Sequence, residues 1–389
     1  LSWTMLGLVL GIAAPALRSA PLPVGSTSSL RSVQRVAHVV LREDALGPPP
    51  AAVPLPPPPP AAATVAPEGG TTADGASLPP DSFLELIEHA AESTRLAISE
   101  GSLLLEVEFP PLPVSQLDEP GLSAYDVLSA NLRLCIEYCK KLSRPGAVPS
   151  LEGGKAIAIT LPDVEELRRT VEYMGDAEPW PNVRLNSLGG DTAPDRNPLE
   201  GLWSNVFKQS GGGDAVVAEW AGMYVLLGAS CQELPTIKKL HELQPDKPIV
   251  CFNLKLDTLR GDLGLPAFPP KAIHHEFLSK VKPVYYMRPR SYSLSLTRPP
   301  FLMSYSGVLF RRYPEQWQSL LDRGTGKKYR QVKIQEVRPP LGTFKAELTE
   351  ALRLGDEAAE SAISQAGFKQ STWWEDNDQS LDVSFDWRR

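Results

Sequence analysis

The stretch "EGSLLLEVEFPPLP", Glu100 to Pro113, decides the fold. Leu103–Phe109 alternates with the two-residue period of a β-strand: Leu105, Val107 and Phe109 point one way, Leu104, Glu106 and Glu108 the other. Two carboxylates on one strand face could act as acid and base if their pKa values were separated. The same spacing is also that of a strand with one solvated face, so the pattern predicts that Glu106 and Glu108 face water.

A helix leads into this strand. Pro79-Pro80 precede it, Ser82 and Glu85 form a capping box, and Phe83, Leu86, Ile87, Ala90, Ala91, Thr94 and Ile98 make a stripe at helical spacing that stops at Gly101. Beyond the strand the period alternates. Helices are predicted at 124–142, 163–174, 234–243 and 272–280, and strands at 155–161, 182–188, 223–227 and 248–253. That order predicts an α/β fold with a mostly parallel sheet and helices on both faces. After Lys282 the helices give way to five strand-like runs, 283–287, 291–296, 303–310, 317–321 and 329–337, which predict an antiparallel β-meander near the C-terminus. Two helices, at 341–354 and 356–365, complete the expected fold.

The chain of 389 residues has 42% hydrophobic and 22% charged residues, ordinary values for a globular protein. Cys135, Cys139, Cys231 and Cys251 lack framework spacing and read as buried thiols in a reducing compartment. The N-terminal part is different. Residues 1–17 carry no charge and have a Leu/Val/Ile centre, and Arg18–Arg42 has four arginines and no acid, so residues 1–46 read as a bipartite signal-plus-transit segment, with an uncleaved membrane anchor as the alternative. Ten prolines in the 21 residues from Gly47 to Pro67 make 47–80 an extended linker. The body is then one domain, 81–354, followed by a helix and an acidic, Trp-containing tail at 355–389.

The net charge of −7 hides a segregation. Residues 81–279 hold 17 basic against 29 acidic side chains, 280–345 hold 14 against three, and 346–389 hold four against ten. The basic Lys280–Lys345 part also carries tyrosines and phenylalanines. It suits internal pairing with the acidic half, a protein or membrane surface, or single-stranded nucleic acid, the last being disfavoured. Arg288, Arg290, Arg311, Arg312, Lys327 and Lys328 are its candidate surface-binding residues. The tail, Ser371–Arg389, could mask that surface.

No catalytic residue emerges, and no cofactor or metal is implied. His274, His275 and Glu276 are adjacent on a helix, about 100° apart, which suits a solvated face better than one ion. "DRGTGKKY" (Asp322–Tyr329) lacks the first Gly and the final Ser/Thr of a phosphate loop and reads as a hairpin turn. "SGGGD" (Ser210–Asp214) lacks the dinucleotide spacing, and no GxSxG elbow occurs. Ligands of open α/β sheets gather at the carboxyl ends of the strands, which here supply Asp163, Ser230, Asn253 and Arg288 as candidate ligand-binding residues.

Five segments in order, "EGSLLLEVEFPPLP", "AIAITLPDVEELRR", "PIVCFNLKL", "FLSKVKPVYYMRP" and "GVLFRRYPEQW", resemble the plastid domain-of-unknown-function family numbered nineteen ninety-five, which includes the low photosystem II accumulation three protein of chloroplasts. The resemblance implies a non-enzymatic factor of the stroma or stromal thylakoid face. Such a factor would bind a photosystem II assembly intermediate or subunit, with peripheral contact to the thylakoid membrane. The family has no established catalytic residues to carry over. The alternatives are an α/β enzyme or small-ligand or nucleotide-binding protein of the plastid, and a plastid RNA-binding protein.

Overall fold

Strand β1 (Leu104–Glu108) is an interior strand, hydrogen-bonded in parallel to β5 (Ile249–Phe252) on one side and to β6 (Lys282–Ser295) on the other. The structure is a computed structural model and describes residues 76–117, 121–175, 178–190, 214–261, 269–296, 299–324, 328–352, 371–375 and 384–389. The remaining strands are β2 (Ala156–Leu161), β3 (Val183–Ser187), β4 (Ala221–Leu226), β7 (Leu302–Arg312), β8 (Trp317–Asp322) and β9 (Tyr329–Gln335). Among the described residues they form one nine-stranded sheet in the order β3-β2-β4-β5-β1-β6-β7-β8-β9. Neighbours from β3 to β6 run parallel; those from β6 to β9 run antiparallel. The expected α/β sheet with its antiparallel extension is the observed one.

The helices are α1 (Phe83–Ser99), α2 (Val114–Leu117), α3 (Ala124–Leu142), α4 (Val164–Met174), α5 (Leu234–Leu243), α6 (Leu256–Leu259), α7 (Lys271–Glu276) and α8 (Leu341–Ala351). Of the expected Ser82–Glu85 capping box the Ser82 half is seen, its hydroxyl accepting the Glu85 amide at 3.2 Å, and the Asp163 carboxylate caps α4 by accepting the Glu166 amide at 2.8 Å. Leu86, Ile87 and Ala90 of α1, with Leu132, Cys135 and Ile136 of α3, pack on Leu105, Val107, Ile157 and Ile159 of the sheet. A second cluster sets Leu234, Ile237 and Leu240 of α5 on Leu104, Ala158, Tyr224 and Cys251, residues of alternate parity. A third buries Phe344 and Leu348 of α8 against Tyr286, Tyr305, Leu309 and Trp317. All four cysteines are buried free thiols.

Three expectations need correction. The runs 283–287 and 291–296 are one strand, β6, which passes straight through Pro289 opposite Val308. β1 pairs with β6 only as far as Tyr286, so the β1 side of the strand is open at Pro289 and a missing amide donor is tolerated. The predicted helix 272–280 is shorter, ending at Glu276 and continuing as a 3-10 turn, Leu278–Lys280. The linker stops being a spacer by Ser77, whose hydroxyl and amide donate to the Glu315 carboxylate at 2.6 and 2.9 Å. Residues 1–75 and the expected helix 356–365 lie outside the described residues.

Two described glycines, Gly222 and Gly307, are required by a close approach, and a Cβ on Gly222 would stand 2.0 Å from the Ser150 carbonyl oxygen. A Cβ on Gly307 would stand 2.6 Å from the Leu320 carbonyl oxygen and 2.5 Å from Leu348 Cδ1, so β7, β8 and α8 meet there without room for a methyl group. Gly307→Ala is expected to cost about 1–3 kcal/mol of unfolding free energy, the usual cost of overpacking, measurable by urea denaturation.

Candidate functional site

At the carboxyl end of β5 the backbone turns through two left-handed non-glycine residues, Asn253 (φ 51) and Lys255 (φ 55). Such conformations are unfavourable for L-residues other than Asn and Asp, and side chains hold them here. Asn253 Oδ1 accepts the Phe109 amide at 2.8 Å, its Nδ2 donates to Asn131 Oδ1 at 2.8 Å, and the Lys255 amide donates to Glu108 Oε2 at 3.0 Å. The turn delivers α6, one helical turn carrying Asp257.

Asp257 is the centre of a buried network. Its Oδ1 accepts from Arg260 Nη1 at 2.7 Å, and its Oδ2 accepts from the Tyr286 hydroxyl at 3.0 Å, from Arg288 Nη1 at 3.2 Å and from Arg338 Nη2. Arg290 Nη2 stands 3.9 Å from the same oxygen. Arg338 Nη2 also donates to the Tyr286 hydroxyl at 2.7 Å, and the Arg338 amide donates to the Arg388 carbonyl at 2.8 Å. The same carbonyl accepts from Trp317 Nε1 at 2.9 Å, while the Trp387 ring lies 5.0 Å from the Arg260 guanidinium and 5.9 Å from that of Arg338. Three parts of the chain far apart in sequence therefore converge on one carboxylate: the turn after β5, the middle of β6, and the segments around Arg338 and Trp387.

Glu106 and Glu108 belong to this centre, which corrects the expectation of a solvated face. They are 2% and 5% exposed. β1 is an interior parallel strand, buried on both faces, and the side expected to meet water lies inside the protein, within the electrostatic reach of Arg260 and Arg288. Burial pushes the Glu106 carboxyl up to about 7, against the pull of Arg260, and burial likewise raises Glu108, against Arg288 and the Lys255 amide. Burial would raise Asp257 too, but Arg338, then Arg260 and Arg288, outweigh it and hold that carboxyl well below the usual carboxylate range. One Asp, two Glu and four Arg thus leave the cluster positive even when all three carboxyls are ionised.

His274 is a second correction. It is buried rather than solvated, with its ring 5.5 Å from that of Trp373 and 5.4 Å from that of Trp387, and burial followed by the Arg260 charge lowers its pKa to about 2. The tail residue Trp387 covers this side of α7, which adjacent polar residues on a short helix do not reveal.

The candidate ligand residues occupy the predicted edge but do different local work. Asp163 caps α4 after β2. Ser230, after β4, donates from its hydroxyl and amide to the Glu233 carboxylate, each at 2.7 Å. Asn253 braces the β5 turn, and Arg288 joins Asp257 and donates to Thr258 Oγ1 at 3.2 Å. Among the candidate surface residues, Arg288 and Arg290 turn toward Asp257. Arg311 is buried between the Tyr313 and Trp317 rings at 5.5 and 5.3 Å, and Arg312 pairs with Glu92 at 2.8 Å. Lys328 is exposed at the β8–β9 hairpin, and Lys327 lies outside the described residues. Much of the basic block is thus used in internal pairing. Asp257, Arg260, Tyr286 and Arg338 were not singled out in the sequence; the i, i+3 spacing of Asp257 and Arg260 is their one local signal.

The molecule is a mixed-sheet α/β protein with a buried carboxylate–arginine centre at the carboxyl ends of its middle strands. The chain belongs to the family described as Domain of unknown function (DUF1995), whose model matches residues 80–346 and so spans all nine strands. No curated protein and no solved structure matches it.

The two kinds of carboxyl predict opposite effects. Glu106 is raised from its ordinary 4.5 to about 7, so its burial costs nothing below pH 4.5, costs progressively more up to about pH 7, and is constant above. Glu106→Gln is expected to raise stability at pH 8 by up to about 3 kcal/mol and to leave it nearly unchanged at pH 4. Asp257 is depressed, so its contribution is present above its ordinary 3.8 and lost as the solution is acidified below it. Asp257→Asn, which leaves four buried or half-buried guanidiniums without their shared carboxylate, is expected to cost about 3–5 kcal/mol near neutral pH. Urea unfolding of both variants from about pH 2 to 8 measures these effects.

Proposed function

We propose that the protein is a non-enzymatic plastid factor that assists photosystem II assembly or maintenance by holding a photosystem partner at the stromal face of the thylakoid. The observation that carries this reading is the sealing of its reactive groups. The carboxyls whose pKa values are most displaced, Glu106 and Asp257, are buried, and Asp257 is tied to arginines that include Arg288 and Arg290 of the long β6 strand, which suits a rigid scaffold presenting an outer surface. Family membership over residues 80–346 supports it through the resemblance to the low photosystem II accumulation three protein. The uncharged and then acid-free N-terminal composition supports a plastid destination.

Tagged purification from thylakoids, with protein, RNA and metabolites all identified, tests the proposal. The expected result is enrichment of a photosystem II subunit or assembly intermediate, reduced by raised salt. Recovery of metabolites alone would overturn it in favour of a small-ligand protein, a reading that the left-handed turn at Asn253 and Lys255 favours. RNA crosslinked to the tyrosine- and arginine-rich β6–β9 part would overturn it in favour of an RNA binder.

A further inference from the structure

The β6–β7 hairpin outruns the sheet that supports it. β8 pairs with β7 only over Gly307–Phe310, and β1 leaves β6 at Tyr286, whereas β6 and β7 stay paired as far as Ser295 and Leu302. Their outer halves are therefore a two-stranded ribbon. Its base rests on α8: the Tyr292 ring packs on Tyr305 and Phe344 at 5.5 and 6.4 Å, and the Tyr305 and Thr349 hydroxyls are 2.8 Å apart.

The tip has the wrong chemistry for a turn left in water. Pro299, Pro300, Phe301 and Leu302 are all exposed, Phe301 at 60% and Leu302 at 59%. Phe301 is also held at φ 57, a left-handed conformation that glycine adopts without cost and a bulky residue does not. Folding alone would favour Gly at this position. The sequence keeps an aromatic ring there and points it outward.

The described tip residues, Pro299 to Leu302, are apolar, and Arg298 precedes them in the sequence. Tyr292, Ser293, Ser304 and Tyr305 follow, and Arg290 and Arg288 stand at the base with side chains 27% and 20% exposed, part of the positively charged Asp257 cluster. No acidic residue occurs between Lys282 and Arg312. Leu302 lies three residues beyond Tyr305, about 10 Å at the rise of a strand. Apolar side chains at the tip, a belt of tyrosines and hydroxyls behind them and a ribbon without acidic groups suit the interfacial layer of an anionic bilayer. No described helix is long and apolar enough to cross a membrane. We propose that the β6–β7 ribbon is a membrane-contact element whose Pro299–Leu302 tip enters the interfacial layer of an anionic lipid bilayer. The proposal concerns a surface outside the buried network and holds whatever protein the chain assists.

The test uses the full chain carrying Ser304→Cys, labelled with an environment-sensitive fluorophore, so that the readout is local to the ribbon. Vesicles of equal parts phosphatidylglycerol and phosphatidylcholine are expected to shift the emission to the blue, and phosphatidylcholine vesicles much less. Phe301→Ser with Leu302→Ser is expected to abolish the shift, the tip's affinity falling about tenfold or more with the apolar area removed. Phe301→Gly relieves the left-handed strain, so it should keep or raise the melting temperature while weakening the shift, which separates lost contact from lost fold. The proposal is overturned by an unshifted emission in the presence of anionic vesicles or by a shift that survives the double substitution. A shift elicited only by a protein partner would equally overturn it and assign the tip to a protein groove.

Discussion

A carboxylate taken out of water must be paid for by charges brought to it, and in this protein that carboxylate is Asp257. Arg260 reaches it from the same turn of helix, Arg288 and Arg290 from β6, and Arg338 from the segment between β9 and α8. Removing any part of this convergence leaves a desolvated charge behind, so the pieces hold one another in place more strictly than apolar contacts alone would. The consequence reaches both ends of the domain. Arg338 fixes the Arg388 carbonyl and so seats Trp387, while Arg288 fixes the level at which β6 leaves β1 and starts its ribbon.

The mostly parallel sheet and its change to antiparallel strands after Lys282 were legible because they rest on local periodicity and caps. Ser82, Asp163 and Ser123 each cap the helix that follows them. The site was much less legible. Glu106 and Glu108 looked solvated because alternation says which residues share a face but not what covers it. The assignment of β1 to a parallel sheet already implied cover on both faces, and the strongly basic Lys280–Lys345 block held the counter-charges. What no local pattern supplied was the pairing of Asp257 with Arg288, Arg290 and Arg338 from other elements of the chain. Pro289 misled for the opposite reason: proline breaks a central strand, but β6 has already lost its β1 neighbour there.

Charge segregation along the chain has a structural meaning under this account. Basic residues of the block pair with Asp257, Glu92 and Glu347, through Arg288, Arg312 and Lys333, so the block is less a continuous basic surface than a supply of partners for acidic residues elsewhere in the chain. What remains outward is distinct in kind: an apolar ribbon tip mounted on a positively charged base. The buried centre fixes where β6 leaves β1 and so where the ribbon begins to project.

The central claim is that Asp257 and Arg338 act as one unit joining the β5 turn to the C-terminal segment. A double-mutant cycle on unfolding free energy, with Asp257→Asn, Arg338→Met and the pair, tests it most directly. The account predicts a coupling of about 1–3 kcal/mol, with the double variant more stable than the sum of the single losses allows. Additivity to within about 0.5 kcal/mol would contradict it.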